Sequence, residues 1–424
     1  MRPLDRRQFL GRSAAVLGAG ALGLGVGAEI ASGASTSEPS AAESARRTLA
    51  DELAARTDFV GYHQHGILTP RQTNAAFIAL DAIVPRQSEL IEGLKELSYR
   101  AASLTQGDSV GEIEIDDPPP DSGLLGEYNA PDALTVTIAF GSTLFDHRYG
   151  LAAARPPQLV PMPAFEKDGL EPDRCHGDVL LSICADHRDT VVHTMRELLR
   201  VTAGVLTPRW RIDGFQSTKR GPTPRSNTRN LFGFRDGTAN PHADDAKLMD
   251  ELVWVKPGHG EPGWTAGGTY QVVRTIRMHV EFWDRVGMFE QQNMIGRDRV
   301  SGAPLGGTDE FQNPRYDLDP HGRRIPLSAH IRLANPRTPE TENQRILRRP
   351  YNYDRGLDEA GNLDQGLLFV AFNQDIQRQF ETVQKRLEEE EMADYITPVG
   401  GGYYFAPRAA RASGDWVGSV MFSS

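Results

Sequence analysis

The sequence predicts an α+β fold built from two ferredoxin-like halves, each an antiparallel β-sheet with helices packed on one face. Three observations predict it. The first half reads strand, helix, strand, strand, helix, strand; the second half repeats that order with longer insertions; and 424 residues suit two domains or one large domain of two similar halves.

Taken in order, residues 75–84 form an apolar run that reads as a strand, and 87–104 carry helical periodicity. A Pro/Asp/Gly-rich loop at 116–126 leads to a β-rich run at 134–141. Residues 178–185 read as a buried strand, 190–203 as a helix and 210–215 as the closing strand. In the second half, 269–280 have β-branched strand character and 282–294 suit an amphipathic helix. Then 366–373 read as an apolar strand, 376–392 as a helix and 403–406 as a short final strand. Between the strands, 302–353 is rich in Pro, Gly, Asn and Arg, and a loop of that length inside a compact domain is usually functional or disordered. The division expected is 1–34 as an export signal, 35–48 as a flexible linker, 49–220 as the N-terminal half and 221–424 as the C-terminal half.

Composition narrows the function. Apolar residues make up 39% and charged residues 24%, and mean hydropathy is −0.44. Beyond the N-terminus no apolar run is long enough to span a bilayer. The net charge of −11 and the absence of a dense Lys/Arg run argue against a nucleic-acid partner. At the N-terminus, Arg6 and Arg7 precede Gln8, Phe9 and Leu10, then a short glycine-rich apolar stretch at 14–27 and small residues at 32–34. This pattern reads as a twin-arginine export signal, with the mature chain periplasmic or extracellular and not inserted in the membrane. An ordinary N-terminal helix or a membrane anchor is the other reading. Cys175 and Cys184 are the only cysteines. They would form either a disulfide or two buried thiols, and no paired-cysteine zinc motif exists.

The most informative stretch is LFGFRDGTANP at 231–241. Gly233 and Gly237 bracket Phe234, Arg235 and Asp236, a composition suited to a tight turn that projects an acidic side chain. An Asp-Gly pair alone is a common surface turn. The whole string, however, resembles the GxxDG signature of the dye-decolorizing peroxidases. His65, Gly66, Ile67 and Pro70 resemble that family's N-terminal segment, and GDVLLSICAD at 177–186 its central strand. HIRLANPR at 330–337 resembles the segment that supplies the proximal haem ligand, 345–351 the arginine-bearing segment after it, and GLLFVAFNQD at 366–375 a late strand-and-turn motif. The resemblance runs from about His63 to Pro407 and is nearest to the exported branch associated with iron uptake.

The resemblance implies a dimeric α+β barrel-like fold, a haem b cofactor, hydrogen peroxide as oxidant and bulky organic donors such as dyes and phenolics. It implies His330 as the iron ligand, and a peroxidase needs one basic axial ligand with the other face of the haem left open. A lone His between apolar residues is otherwise a packed core residue, and His279 and His187 are the other ligand candidates. The resemblance further implies Asp236 as the group that moves a proton between the peroxide oxygens, and Arg348, rather than Arg345 or Arg349, as the fixed cation that stabilises the charge developing there. A surface salt bridge is the ordinary role for any of the three arginines. Because a carboxylate stays deprotonated in acid, activity is expected to peak below neutrality.

Gly233, Phe234, Arg235 and Gly237 are expected to line the cofactor, and Arg337 and Arg297 to pair with haem propionates. Asp375 is the candidate acceptor for the second N–H of His330, although capping of the following helix explains an Asp there equally well. Phe369 and Phe372 are read as sharing one strand face and walling the haem, with ordinary core packing as the commoner role. Surface electron-transfer residues are not ranked among Trp254, Trp264, Trp283, Tyr351 and Tyr353. Two other classes stay open. One is an extracytoplasmic haem-binding or iron-releasing protein in iron acquisition; the other is a binding module that merely shares the fold. The partners expected besides substrate are the twin-arginine translocation machinery and a second copy of the chain.

Overall fold

The computed structural model describes residues 49–110, 116–220, 226–258 and 260–422. The expected export signal, with Arg6 and Arg7, and the linker at 35–48 lie outside the described residues. Residues Thr48–Ser424 group as one compact unit.

The first half contains β1 (Asn74–Ala82), α1 (Gln87–Gln106), β2 (Thr135–Gly141), β3 (Val179–Ala185), α2 (Arg188–Val201) and β4 (Leu206–Phe215). Its strands lie in the order β2-β3-β1-β4, all antiparallel. This is the ferredoxin-like order. The second half contains α3 (Ala246–Leu252), β5 (Thr269–Met278), α4 (Val280–Trp283), α5 (Met288–Ile295), α6 (His330–Ala334), β6 (Leu347–Arg348), β7 (Tyr351–Leu357), β8 (Leu363–Asn373), α7 (Thr382–Leu387) and β9 (Ile396–Ala406). Its four long strands run β9-β5-β8-β7, so the order of the first half recurs.

The free edges of the two sheets meet. β9 pairs with β2 through Tyr404–Gly141 and Phe405–Phe140, and β4 meets β7 at Phe215–Asn352. With β5 paired to β8, the eight long strands close into a ring that leaves no long exposed edge. Strand alternation then sorts the side chains. From β1, Ala75, Phe77 and Ala79 point into a core they share with Trp210, Val273, Tyr351, Leu368, Val370, Phe372 and Tyr404. Ala76, Ile78 and Leu80 face outward, under Leu90, Leu94 and Leu97 of α1 and Val191, Met195 and Leu198 of α2. On β8, Leu367 and Phe369 take the outer face, away from Leu368, Val370 and Phe372.

Four sequence expectations need correction. The strand missing from the second repeat is β7, which starts inside the stretch expected to be a loop; its first three residues are buried but its last four are exposed, so it lacks a continuous apolar run. The helix expected at 282–294 breaks at Gly287 into α4 and α5. The helix expected at 376–392 begins with a wide π turn at Gln377–Glu381, continues as α7 and ends near Leu387, before a short 3-10 turn at Glu391–Tyr395. The last strand is longer than expected because three glycines, Gly400, Gly401 and Gly402, dilute its apolar pattern; an added side-chain carbon at Gly401 would lie 2.0 Å from the Val273 carbonyl oxygen.

Candidate active site

The outer face of the second sheet forms one wall of a cavity of about 250 Å³, whereas the next cavity, beside Gln64 and His65, measures about 10 Å³. Arg274, Ile276 and Met278 of β5 and Leu367 and Phe369 of β8 line it at alternating positions. Phe380, Val383 and Leu387 from the α7 region line it too, together with residues of the 230–239 loop and of the segment around α6. His330, Asp236, Arg348, Phe234, Arg235, Gly237, Arg337 and Arg297 all line this one cavity.

His330 opens α6, its side chain about a quarter exposed. Its Nδ1 lies 2.8 and 3.1 Å from the two carboxylate oxygens of Glu390, which is only 3% exposed. Burial disfavours the charged ring, but the adjacent Glu390 carboxylate outweighs it and raises the His330 pKa above the usual imidazole value. With Nδ1 engaged, Nε2 is the nitrogen left to bind a ligand. Asp375 therefore does not hold His330. Its carboxylate accepts from the Arg378 N–H at 2.8 Å, the helix-capping role, and it does not line the cavity. The residue that sequence reasoning missed is Glu390, hidden in a run of four glutamates, 388–391, that looks like a solvated helix end.

Asp236 sits in the turn its glycines demand, with φ of 84° at Gly233 and 103° at Gly237. Its side chain accepts from Arg348 Nη1 at 2.9 Å, and the pair is 13% and 24% exposed respectively. β6 delivers Arg348, with Ala371 of β8 as its register partner. Of its neighbours, Arg349 points elsewhere, donating to the Thr69 carbonyl and to Gln72 Oε1, while Arg345 lines the same cavity and pairs with Glu342 at 3.2 Å. Asn240, four residues after Asp236, hydrogen-bonds the backbone of Arg348. The motif contained it, but no signal in the sequence assigned it a partner.

The other expected site residues divide. Arg235 lines the cavity but is held by Glu310 at 3.3 Å and by the Asn227 carbonyl at 2.9 Å, so its guanidinium supports the loop. Phe234 packs against Trp283 beneath the cavity. Gly233 does not line the cavity; a side chain there would meet the Arg299 guanidinium at 2.6 Å. Phe372 is not a wall either. Three residues apart on a strand, Phe369 and Phe372 take opposite faces, and Phe372 lies in the ring's interior. Arg297 Nη1 donates to the carbonyls of Gly302 and Glu310. His279 contacts Thr397 and His187 pairs with Asp132, both outside the cavity. Cys175 and Cys184 are buried free thiols.

The residues present fit a haem. One imidazole backed by a carboxylate, apolar walls from Phe232, Phe234, Met278, Leu367, Phe369 and Leu387, and an acid–arginine pair suit a flat apolar cofactor bound through iron. The buried Nε atoms of Arg337 and Arg345, both cavity residues, have no hydrogen-bond partner, as expected of donors that await carboxylates. Among the described residues no helix is long and apolar enough to cross a membrane.

Comparison with known proteins agrees with this chemistry. Residues 64–216 match the N-terminal model of the Dyp-type peroxidases and residues 227–411 the C-terminal model. The chain belongs to the Dyp-type peroxidase family and is a haem-dependent peroxidase, an oxidoreductase. It is 46% identical to a deferrochelatase of Escherichia coli O6:K15:H31 over 382 residues, 89% of this chain and 90% of that one. It is 44% identical to a deferrochelatase of Yersinia pestis bv. Antiqua over 97% of this chain and 93% of the relative. Among solved structures, a DyP-type peroxidase from Cellulomonas bogoriensis superposes with a TM-score of 0.78 at 35% identity, covering 88% of this chain and 99% of that one. Ferric DtpA from Streptomyces lividans gives 0.79 at 31% identity, covering 89% and 99%.

Proposed function

We propose that the chain reduces hydrogen peroxide at a haem b held by His330, with Asp236 as acid–base, Arg348 as the charge-stabilising cation, and bulky organic compounds such as dyes and phenolics as electron donors. The observation that carries this reading is the sharing of one cavity by two oriented pairs, His330 with Glu390 and Arg348 with Asp236. Haem bound here would supply a redox-active iron and the electrons that cleavage of the peroxide O–O bond requires. His330 holds it through Nε2, and Glu390 fixes the ring and increases its basicity. Arg337 and Arg345 receive the haem carboxylates with their free Nε–H groups. Asp236 accepts a proton from one peroxide oxygen and returns it to the other, leaving as water. The Arg348 guanidinium lies within hydrogen-bond distance of that carboxylate and stabilises the negative charge as it forms.

Haem titration of the apoprotein and of His330→Gly tests the reading. Tight binding that His330→Gly loses and that added imidazole restores is expected, together with peroxide-dependent dye oxidation that fails in Asp236→Ala. Unchanged haem binding in His330→Gly would overturn the ligand assignment.

The relatives named deferrochelatase favour a second reading, iron release from haem with the macrocycle intact. Recovery of metal-free porphyrin and chelatable ferrous iron from the haem-loaded protein tests it. Export by the twin-arginine route belongs to the same proposal and rests on Arg6 and Arg7. Retention of an Arg6→Lys, Arg7→Lys chain in the cytoplasm is the expected result.

A further inference from the structure

Arg348 reaches the cavity on a long flexible side chain, and its ion pair with Asp236 does not by itself fix where the guanidinium stands. Its backbone is gripped far more firmly. The Asn240 carboxamide donates from Nδ2 to the Arg348 carbonyl at 2.7 Å and accepts the Arg348 N–H on Oδ1 at 2.9 Å. Both polar groups of one peptide residue are thus taken by one side chain. That side chain does what a neighbouring strand does in a ladder. β6 is only two residues long, and Pro350, which has no N–H, interrupts the edge before β7 begins. Among the described residues no strand takes this side of Arg348 in place of Asn240.

The loop that carries the clamp also carries the acid. Asn240 lies four residues after Asp236, and its own N–H donates to the Gly237 carbonyl at 3.0 Å, closing the turn between them. The next residue after the arginine pair is tethered as well: the Pro350 carbonyl accepts from Arg71 Nη1 at 3.0 Å and from Gln216 Nε2 at 2.6 Å.

We infer that Asn240 is a positioning residue for the peroxide reaction: it sets the backbone of Arg348 relative to Asp236, so that one loop fixes both the acid and the cation. The inference rests on the role proposed above for Arg348. The side chain of Asn240 acts through Arg348 and touches no reacting atom.

The test uses the haem-loaded full-length protein and the variants Asn240→Ala, Asn240→Asp, Arg348→Ala and the double variant Asn240→Ala, Arg348→Ala. Two readouts are taken: hydrogen–deuterium exchange of the Arg348 amide before peroxide is added, and the second-order rate constant for reaction with peroxide. Asn240→Ala is expected to speed exchange at Arg348 without changing exchange across β8, and to slow the peroxide reaction roughly 10- to 100-fold, as a misplacement of about 1 Å does. Haem affinity stays as in the wild type. Asn240→Asp keeps the acceptor for the Arg348 N–H and loses the donor to its carbonyl, so exchange protection is retained while the rate recovers only in part. In the Arg348→Ala background, removal of Asn240 has no further effect on the rate.

Losses that multiply in the double variant would show that Asn240 acts independently of Arg348 and would overturn the inference. So would an Asn240→Ala protein with unchanged rate and exchange beside a slowed Arg348→Ala. If Asn240→Ala does not fold, a fully active Asn240→Asp with an unprotected Arg348 amide overturns it equally. An Arg348→Ala protein as fast as the wild type would remove the proposed role of Arg348 itself, and the inference would fall with it.

Discussion

At His330 the chemistry is set by a neighbour that lies 60 residues away in sequence. Glu390 accepts from Nδ1 inside a nearly closed environment, where a charge-assisted hydrogen bond is strong. Replacing it by Gln keeps a hydrogen bond but removes the charge. Glu390→Gln is expected to weaken haem retention roughly 10- to 100-fold and to raise the ferric–ferrous potential, because a less basic imidazole favours the ferric state less. A potential unchanged by that substitution would mean that Glu390 serves only to orient the ring. Single residues also mark the limit of the sequence. Asp236 was legible through the resemblance carried by the whole string at 231–241, since an Asp-Gly pair alone reads as a surface turn, whereas Glu390 and Asn240 act across the fold, and no spacing rule connects them to His330 and Arg348.

At the scale of elements, the approach to α2 carries a proton-linked contact. Asp132, buried and with φ of 49°, accepts from the His187 N–H at 2.9 Å and from its ring at 2.7 Å. The hydrogen bond to Asp132 raises the His187 pKa. A histidine whose pKa is higher in the folded state stabilises the fold fully below the ordinary imidazole value, and that increment is lost as pH rises through the raised value. Denaturation of the wild type and His187→Gln should therefore differ more at pH 6 than at pH 9. An equal difference at both would remove the linkage. Strands and helices of the first half were legible because their apolar periodicity is unbroken, as in α1, where Leu90, Leu94, Leu97, Ala101 and Leu104 recur on one buried face. β7 was not, because its second half, Asp354–Leu357, is exposed and begins with two charged residues and a glycine. Phe372 shows the same limit from the other side: a period of two, applied to β8, separates it from Phe369 and puts it in the ring's core.

For the whole molecule, the two halves were readable as a repeat, but their closure was not. It depends on three register pairs, Tyr404–Gly141, Phe405–Phe140 and Phe215–Asn352, made between edges that look alike in sequence to solvent-exposed ones. The ring's interior draws side chains from both halves, so the halves share one core. Phe372→Ala is expected to cost about 3–5 kcal/mol and to lower a single unfolding transition. Two separated transitions would show halves that fold independently. The same closure leaves the outer face of the second sheet free to carry a cavity between β5, β8 and α7. The reaction that this cavity supports turns most directly on Asp236. One equivalent of hydrogen peroxide, mixed with the ferric haem protein in a stopped-flow spectrometer, should displace the Soret band rapidly in the wild type and roughly 10²- to 10⁴-fold more slowly in Asp236→Ala. Equal rates in the two proteins would contradict the assignment of Asp236 as the acid–base group.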